Sequence, residues 1–207
     1  MCYTTSIQKS QEDLEKRFKR MAERDLKLKL KLSLYNIGFA FPENPVITND
    51  KPEVISLLSW GLMPAWAKDR TFRKNLLNAK IETIKELPSF RNAVKKRCLV
   101  LVDGFYEWKW MDAKGKQKEK YHITLPNHEA FAMAGIWSEW VDKQTGEILK
   151  TYTIVTTQAN ELMSEIHNTK KRMPVILTPE NEEKWLSGSE VDDFKKPEVE
   201  LKAELME

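Results

Sequence analysis

Residues 98–110 read Cys98-Leu99-Val100-Leu101-Val102-Asp103-Gly104-Phe105-Tyr106-Glu107-Trp108-Lys109-Trp110. Aliphatic residues and then aromatics fill this run, and both kinds suit a pleated, half-buried surface, so the run predicts one long strand. Gly104 interrupts it, and a glycine inside a strand marks a bulge that re-aims the side chains after it. Ala113-Lys114-Gly115-Lys116 then predicts a turn, and Tyr121 to Leu125 a returning strand. A second hairpin follows, Ala130 to Trp140 and Ile148 to Thr157 around Thr145-Gly146, and earlier strands are predicted at Val46 to Thr48 and Val54 to Trp60. Val175 to Leu177 reads as the final strand.

Helices are expected between these hairpins. Ser10 caps one with Leu14, Phe18 and Met21 on a single face, Asn160 caps one ending at Ile166, and Thr178-Pro179-Glu180 opens the last. Asn78 to Glu86 and Ser89 to Lys96 read as two short helices broken at Pro88. Leu26, Leu28, Leu30, Leu32 and Leu34 alternate with polar residues, which fits a strand or a continuation of the first helix. The expected class is α+β, with mainly antiparallel sheets forming an open, barrel-like core flanked by short helices.

The chain has 207 residues, 41% of them hydrophobic, which is enough apolar mass for a sizeable core and excludes global disorder. No apolar run approaches the length of a membrane-spanning helix. The start, Met1-Cys2-Tyr3-Thr4-Thr5, carries no basic-then-apolar leader, and two cysteines make no disulfide framework; both set an expectation of a cytoplasmic protein. No His/Cys cluster has metal-ligand spacing, so neither metal nor cofactor is expected. We divide the chain into one domain over 1–187 and an acidic extension over 188–207, expected to be flexible. The net charge of +3 is uneven: residues 68–97 hold ten Lys/Arg against three Asp/Glu. A basic segment with aromatics nearby suits a polyanion, although a solvated surface gives the same pattern.

Five side chains invite chemistry. Cys2 becomes an N-terminal aminothiol if Met1 is removed. Its amine, with an ordinary pKa of about 7.7–8.0, is then partly neutral and can attack an aldehyde, after which the thiol closes a five-membered thiazolidine. Taken alone, a cysteine at position two is better read as an accident. Glu107, among Phe105, Tyr106 and Trp108, is poorly solvated and suited to acid/base work, or else lies on an outer strand face. His167 follows a short helix and needs a partner to be more than structural. Asn78 is either a helix N-cap or an amide that orients a reacting group. Arg172, after Lys170-Lys171, is a phosphate clamp or a surface cluster.

Together these residues resemble the SOS-response-associated peptidase (SRAP) family of abasic-site processing proteins. The matching pieces are Met1-Cys2, Tyr35-Asn36-Ile37, Trp60-Gly61-Leu62-Met63-Pro64-Ala65-Trp66, Asn78-Ala79-Lys80-Ile81-Glu82-Thr83, Arg97-Cys98 through Trp108, Ala134-Gly135-Ile136-Trp137, Thr156-Thr157-Gln158-Ala159-Asn160, and His167 followed by Arg172-Met173-Pro174-Val175-Ile176-Leu177. The resemblance implies an open barrel of antiparallel sheets, a groove for single-stranded DNA, and a covalent bond between Cys2 and an abasic site that shields the strand from cleavage. It also implies autoproteolytic release of Met1 and a lyase-type activity. It places the nucleophile on Cys2, the orienting amide on Asn78, the acid/base carboxylate on Glu107 and the histidine on His167. DNA contacts fall on Trp66, Lys80, Thr156 and Arg172. The implied partner is single-stranded DNA with abasic sites, bound by a monomer in the cytoplasm and, on damaged DNA, at the nucleoid.

Three features depart from the family pattern. Tyr3-Thr4 stands where Gly-Arg is usual, Lys80 stands where Arg is common, and Asn168 to Lys171 lengthens the spacer between the histidine and the arginine. Two other readings remain: an N-terminal nucleophile cysteine hydrolase, and a non-catalytic nucleic-acid-binding module in which Cys2 is incidental.

Overall fold

The computed structural model describes residues 2–24, 26, 30–196 and 198–206. Among them the strands are β1 (Thr4–Ile7), β2 (Met21–Ala22), β3 (Ser33–Ile37), β4 (Glu43–Thr48), β5 (Lys51–Trp60), β6 (Asn78–Lys80), β7 (Arg97–Val102), β8 (Gly104–Trp110), β9 (Lys118–Thr124), β10 (Phe131–Val141), β11 (Ile148–Gln158), β12 (Arg172–Pro174), β13 (Ile176–Leu177) and β14 (Lys202–Met206). The helices are α1 (Gln11–Phe18), α2 (Glu161–Ile166) and α3 (Pro179–Leu186). The fold is α+β, as expected.

β4, β5, β7, β10 and β11 form a ring. Antiparallel pairings join β5 to β4, β4 to β7, β7 to β10 and β10 to β11, and a short parallel pairing of β5 with β11 closes it. Strand side chains alternate between faces, so each ring strand feeds two cores. Val46, Leu58, Val100, Met133 and Ile154, one from each strand, share an inner cluster with Cys2 and Trp60. Ile47, Ile55, Leu99, Ala134 and Val155 face an outer cluster with Leu14 and Phe18 of α1 and Trp185 of α3. A second antiparallel sheet, ordered β14-β9-β8-β1-β3, carries the start of the chain.

The segment 98–110 is two strands rather than one bulged strand. β7 belongs to the ring and β8 to the second sheet, and the chain changes sheets at Asp103-Gly104. Asp103 ties the junction to β1: its carboxylate accepts from the Ser6 hydroxyl at 2.6 Å and from the backbone N–H of Gln8 and of Lys9. A Cβ at Gly104 would lie 2.8 Å from Ser6 Oγ and 2.3 Å from His122 Nε2, so only glycine admits this approach.

Other expectations need correction. Asn78 to Glu86 is not a helix. Leu77 O is held by the Trp60 indole at 2.8 Å and by Ile154 N at 3.2 Å, and Asn78 to Lys80 then pair in parallel with β11. Residues 81–86 are turns, and 89–96 contain only a 3₁₀ turn, Arg91–Ala93. Met21 is exposed in β2, past the end of α1, whose buried residues are Leu14 and Phe18. Of the alternating leucines, Leu28 lies outside the described residues and only Leu34 falls in a strand, β3. Val175 to Leu177 is not the last strand: β14 pairs with β9 from Lys202 opposite Thr124 to Met206 opposite Lys120, so this part of the acidic end is built into a sheet rather than loose. The helices capped by Ser10, Asn160 and Thr178 form as expected, each cap accepting from the backbone N–H three residues on.

Candidate active site around Cys2

Cys2 lies two residues before the first residue of β1 and is completely buried. β1 runs antiparallel to β8 with Thr5 opposite Phe105 and Ser6 opposite Gly104, a register that carries the start of the chain toward Glu107. The proximity shows in the electrostatics. Burial first, and the charge of Glu107 second, push the Cys2 thiol far above its ordinary range, so it is a protonated thiol near neutral pH. Glu107 is 5% exposed, and desolvation raises its carboxyl to about 7. A carboxyl that is half protonated near neutrality can both give and take a proton.

Asn78 supplies the second wall. The parallel pairing of β6 with β11 sets it opposite Ile154, and its Nδ2 donates to the Cys2 carbonyl at 2.8 Å. The amide therefore orients the Cys2 backbone, and the N-cap alternative falls with the helix. Its Oδ1 is buried and accepts no hydrogen bond among the described residues.

His167 ends α2, which packs on β8, and Ile166 beside it belongs to the same cluster as Cys2. Its Nδ1 lies 2.8 Å from the carbonyl oxygen of Arg172 and 3.1 Å from that residue's N, so the backbone fixes the ring. Burial lowers its pKa, which keeps the ring neutral near pH 7. The long spacer is taken up by a turn: Lys171 N donates to His167 O at 2.9 Å, and the Asn168 side chain clips to Trp110 through two backbone bonds of 3.1 and 2.8 Å.

The residues assigned to DNA contact divide into two groups. Trp66 is half exposed, edge-on to Phe72 with ring centres 5.0 Å apart, and Lys80 is exposed at the end of β6. Thr156 and Arg172 are buried. Arg172 forks onto Glu82 at 2.7 and 2.8 Å and donates to Thr156 O at 2.8 Å, while Thr156 Oγ1 lies 3.4 Å from Ala79 O. Burial is the largest single influence on Glu82 and opposes its ionisation, but the Arg172 fork, a backbone N–H and the charge of Lys80 together hold the carboxyl below its ordinary value.

Glu82, absent from the sequence reading, lies two residues after Lys80 within a quoted motif; a carboxylate there is the natural partner for a buried arginine. The Asp103 clamp was also missed. Ser6 gives its proton to Asp103, so the 3.1 Å contact from His122 Nε2 to Ser6 Oγ is donated by the ring, which stacks on Tyr106 at 4.5 Å. Among the described residues, no group of three His, Cys, Asp or Glu could hold a metal ion, and no helix is long and apolar enough to cross a membrane.

Residues 1–205 match the family described as SOS response associated peptidase (SRAP). The chain belongs to the SRAP family. It is 42% identical over 159 residues to the abasic site processing protein YoqW of Bacillus subtilis, covering 76% of this chain and 68% of that one. It is 35% identical over 162 residues to the abasic site processing protein HMCES of Gallus gallus, covering 67% of this chain and 46% of that one. A crystal structure of a protein from Bacteroides thetaiotaomicron superimposes with a TM-score of 0.91 at 35% identity, covering 100% of this chain and 92% of that one. Tyr3-Thr4 and the 168–171 segment leave the hydrogen bond of Asn78 to the Cys2 carbonyl and the contact of His167 with Arg172 in place.

Proposed function

We propose that this SRAP protein binds single-stranded DNA and captures abasic sites covalently through Cys2 after Met1 is removed. One observation carries the reading: a buried cysteine at position two has its carbonyl held by Asn78 and faces a carboxyl with a pKa of about 7. The relatives named as abasic site processing proteins support the substrate.

An abasic deoxyribose opens to an aldehyde, and the freed Cys2 amine attacks its carbonyl carbon. Protonated Glu107 gives its proton to the departing oxygen, water leaves, and an imine forms. The thiol sulfur then adds to the carbon of this imine, whose nitrogen still carries one proton, and the thiol proton returns to the Glu107 carboxylate. The balance is aminothiol plus aldehyde to thiazolidine plus water. Neutral His167, with Nδ1 committed to the backbone, assists at Nε2. Asn78 Oδ1 accepts a hydrogen bond from the adduct. Consumption of the aldehyde blocks the β-elimination that would otherwise cut the strand.

Trp66 packs on an exposed base or sugar and Lys80 neutralises a phosphate. Thr156 and Arg172 act from beneath, the guanidinium reaching a phosphate only by sharing its Glu82 fork. The same centre hydrolyses the Met1–Cys2 bond: water adds to the Met1 carbonyl carbon with Glu107 or His167 as base, and the Cys2 nitrogen takes a proton and leaves as the free amine.

The test is a denaturing gel of the untagged protein with abasic single-stranded DNA, alongside its intact mass. Wild type is expected to have lost Met1 and to give a covalent shift, and Cys2→Ala to give none. A shift that survives Cys2→Ala overturns the reading.

A further inference from the structure

On the outer face of β7, a cavity of about 540 Å³ opens between the 85–97 segment and the end of α3. Arg97 shares the strand face of Leu99 and Leu101, which belong to the outer core, whereas Cys98 and Val100 belong to the inner cluster with Cys2. The cavity therefore lies across the sheet from the candidate active site. Its walls hold four cations, Lys85, Arg91, Lys95 and Arg97, against one carboxylate, Glu190. Lys85 and Glu190 meet at 2.9 Å with both side chains largely in solvent, a contact that holds little energy. Apolar surface from Val94 and Leu186 completes the lining.

Arg97 is the unusual member. It is 5% exposed, yet no carboxylate of the described residues forms an ion pair with it. Nε donates to Val94 O and Nη1 to Trp185 O, both at 3.3 Å, and the guanidinium lies 4.4 Å from the Trp185 ring. These partners fix the plane of the fork and leave Nη2 without a hydrogen bond among the described residues. Of the other two buried guanidiniums, Arg172 is neutralised by a bidentate carboxylate and Arg73 is taken up by Gly61 O, Ser59 Oγ and Trp60 O. A recessed, pre-oriented guanidinium ringed by exposed cations matches a phosphate oxygen pair. The cavity volume lies in the range of small-molecule sites, roughly 300–1,000 Å³.

We propose that the Arg97 cavity is a second anion site that takes a phosphate group on a body no larger than a nucleotide. This accounts for a share of the basic 68–97 segment that the Cys2 centre does not use. The phosphate comes from a free nucleotide or from the end of a DNA strand.

Titrations with AMP, with a 5′-phosphorylated oligonucleotide and with its unphosphorylated twin, at constant ionic strength, test the assignment. The indole N–H resonance of Trp185, whose nitrogen is 3.1 Å from both Cys98 O and Gly135 O, reports on the cavity through the Arg97 guanidinium that lies on its ring. AMP is expected to move that resonance, and Arg91→Gln/Lys95→Gln, both surface changes that keep the fold, to weaken binding by about tenfold or more. Arg97→Lys, which keeps the charge but loses the fork, is expected to weaken it as well. Response to AMP alone assigns the site to a free nucleotide; response to AMP and the 5′-phosphorylated strand but not its twin assigns it to any terminal phosphate. No response to AMP, or equal affinity in the double variant, overturns the proposal. Covalent capture through Cys2 is expected to be unchanged in the double variant, which keeps this test separate from that of the proposed function.

Discussion

Glu107 and Glu182 are buried almost equally, at 5% and 6% exposure, and their surroundings give them opposite uses. Glu182 on α3 meets Arg17 of α1 at 2.7 Å, and Arg17 also donates to Ala130 O at 3.1 Å, so the pair pins two helices over the outer core. Desolvation raises both carboxyls, and at Glu182 the arginine pulls in the other direction. Glu107 faces the buried Cys2 thiol and rises to about 7. Burial therefore sets the direction of a shift, and the neighbour decides whether the group is a fixed charge or a proton carrier. Two of the three buried arginines repeat the lesson with the sign reversed, Arg172 closed by Glu82 and Arg97 open to a cavity.

The contrast breaks most visibly at Glu107. Glu107→Gln keeps the shape and removes the proton carrier, so the rate of covalent capture is expected to fall by about 10²- to 10⁴-fold. A single-turnover time course on abasic single-stranded DNA measures it; a rate within a few fold of wild type would return Glu107 to the status of Glu182. The same substitution reads out in stability. A carboxyl whose folded pKa lies above its ordinary 4.5 adds stability that is complete below about 4.5 and is lost as the pH rises through about 7. The loss amounts to about 3 kcal/mol for a shift of this size. Urea unfolding is therefore expected to show Glu107→Gln more stable than wild type at pH 8 and similar at pH 5, and parallel pH slopes would show that Glu107 is an ordinary carboxylate.

Glu182 sharpens the comparison from the other side. Arg17→Met strands a buried carboxylate and is expected to cost about 2 kcal/mol, discounted because Arg17 is one-fifth exposed. Adding Glu182→Gln should recover part of it, and the double-mutant cycle isolates the pair. Capture rates should stay at the wild-type level in both variants; a drop would connect the outer core to the Cys2 centre.

The hairpins were legible because apolar runs and turn residues name them locally, as at Tyr121 to Leu125 and around Thr145-Gly146. The helix expected at Asn78 failed because its extended shape is imposed by β11, a strand some seventy residues later, through parallel pairing that leaves no periodic trace. The break at Asp103-Gly104 was visible as a glycine, but its meaning, a change of sheet, depends on Ser6, Gln8 and Lys9. In the candidate site, the motifs supplied Cys2, Asn78, Glu107 and His167. The accessibility of the residues expected to contact DNA was not legible: exposed Trp66 and buried Thr156 carry equally clear motif signals.

The smallest expected effect belongs to Asn78. Asn78→Ala removes one 2.8 Å bond to the Cys2 carbonyl and is expected to cost about 1 kcal/mol of stability. It should slow capture by about tenfold, because a carbonyl free to turn no longer aims the amine. Asn78→Asp separates positioning from charge. A carboxylate has no N–H for the carbonyl, and it places a second negative charge beside Cys2, which already feels Glu107. Like charges raise each other's pKa, so Asn78→Asp is expected to shift the pH profile of capture toward alkaline values, whereas Asn78→Ala lowers the rate and leaves the profile in place. If both variants only lower the rate, the two groups act at separate places and Asn78 serves the backbone alone. An alkaline shift in Asn78→Asp would make amide and carboxyl one electrostatic unit, with the neutral amide keeping Glu107 near 7.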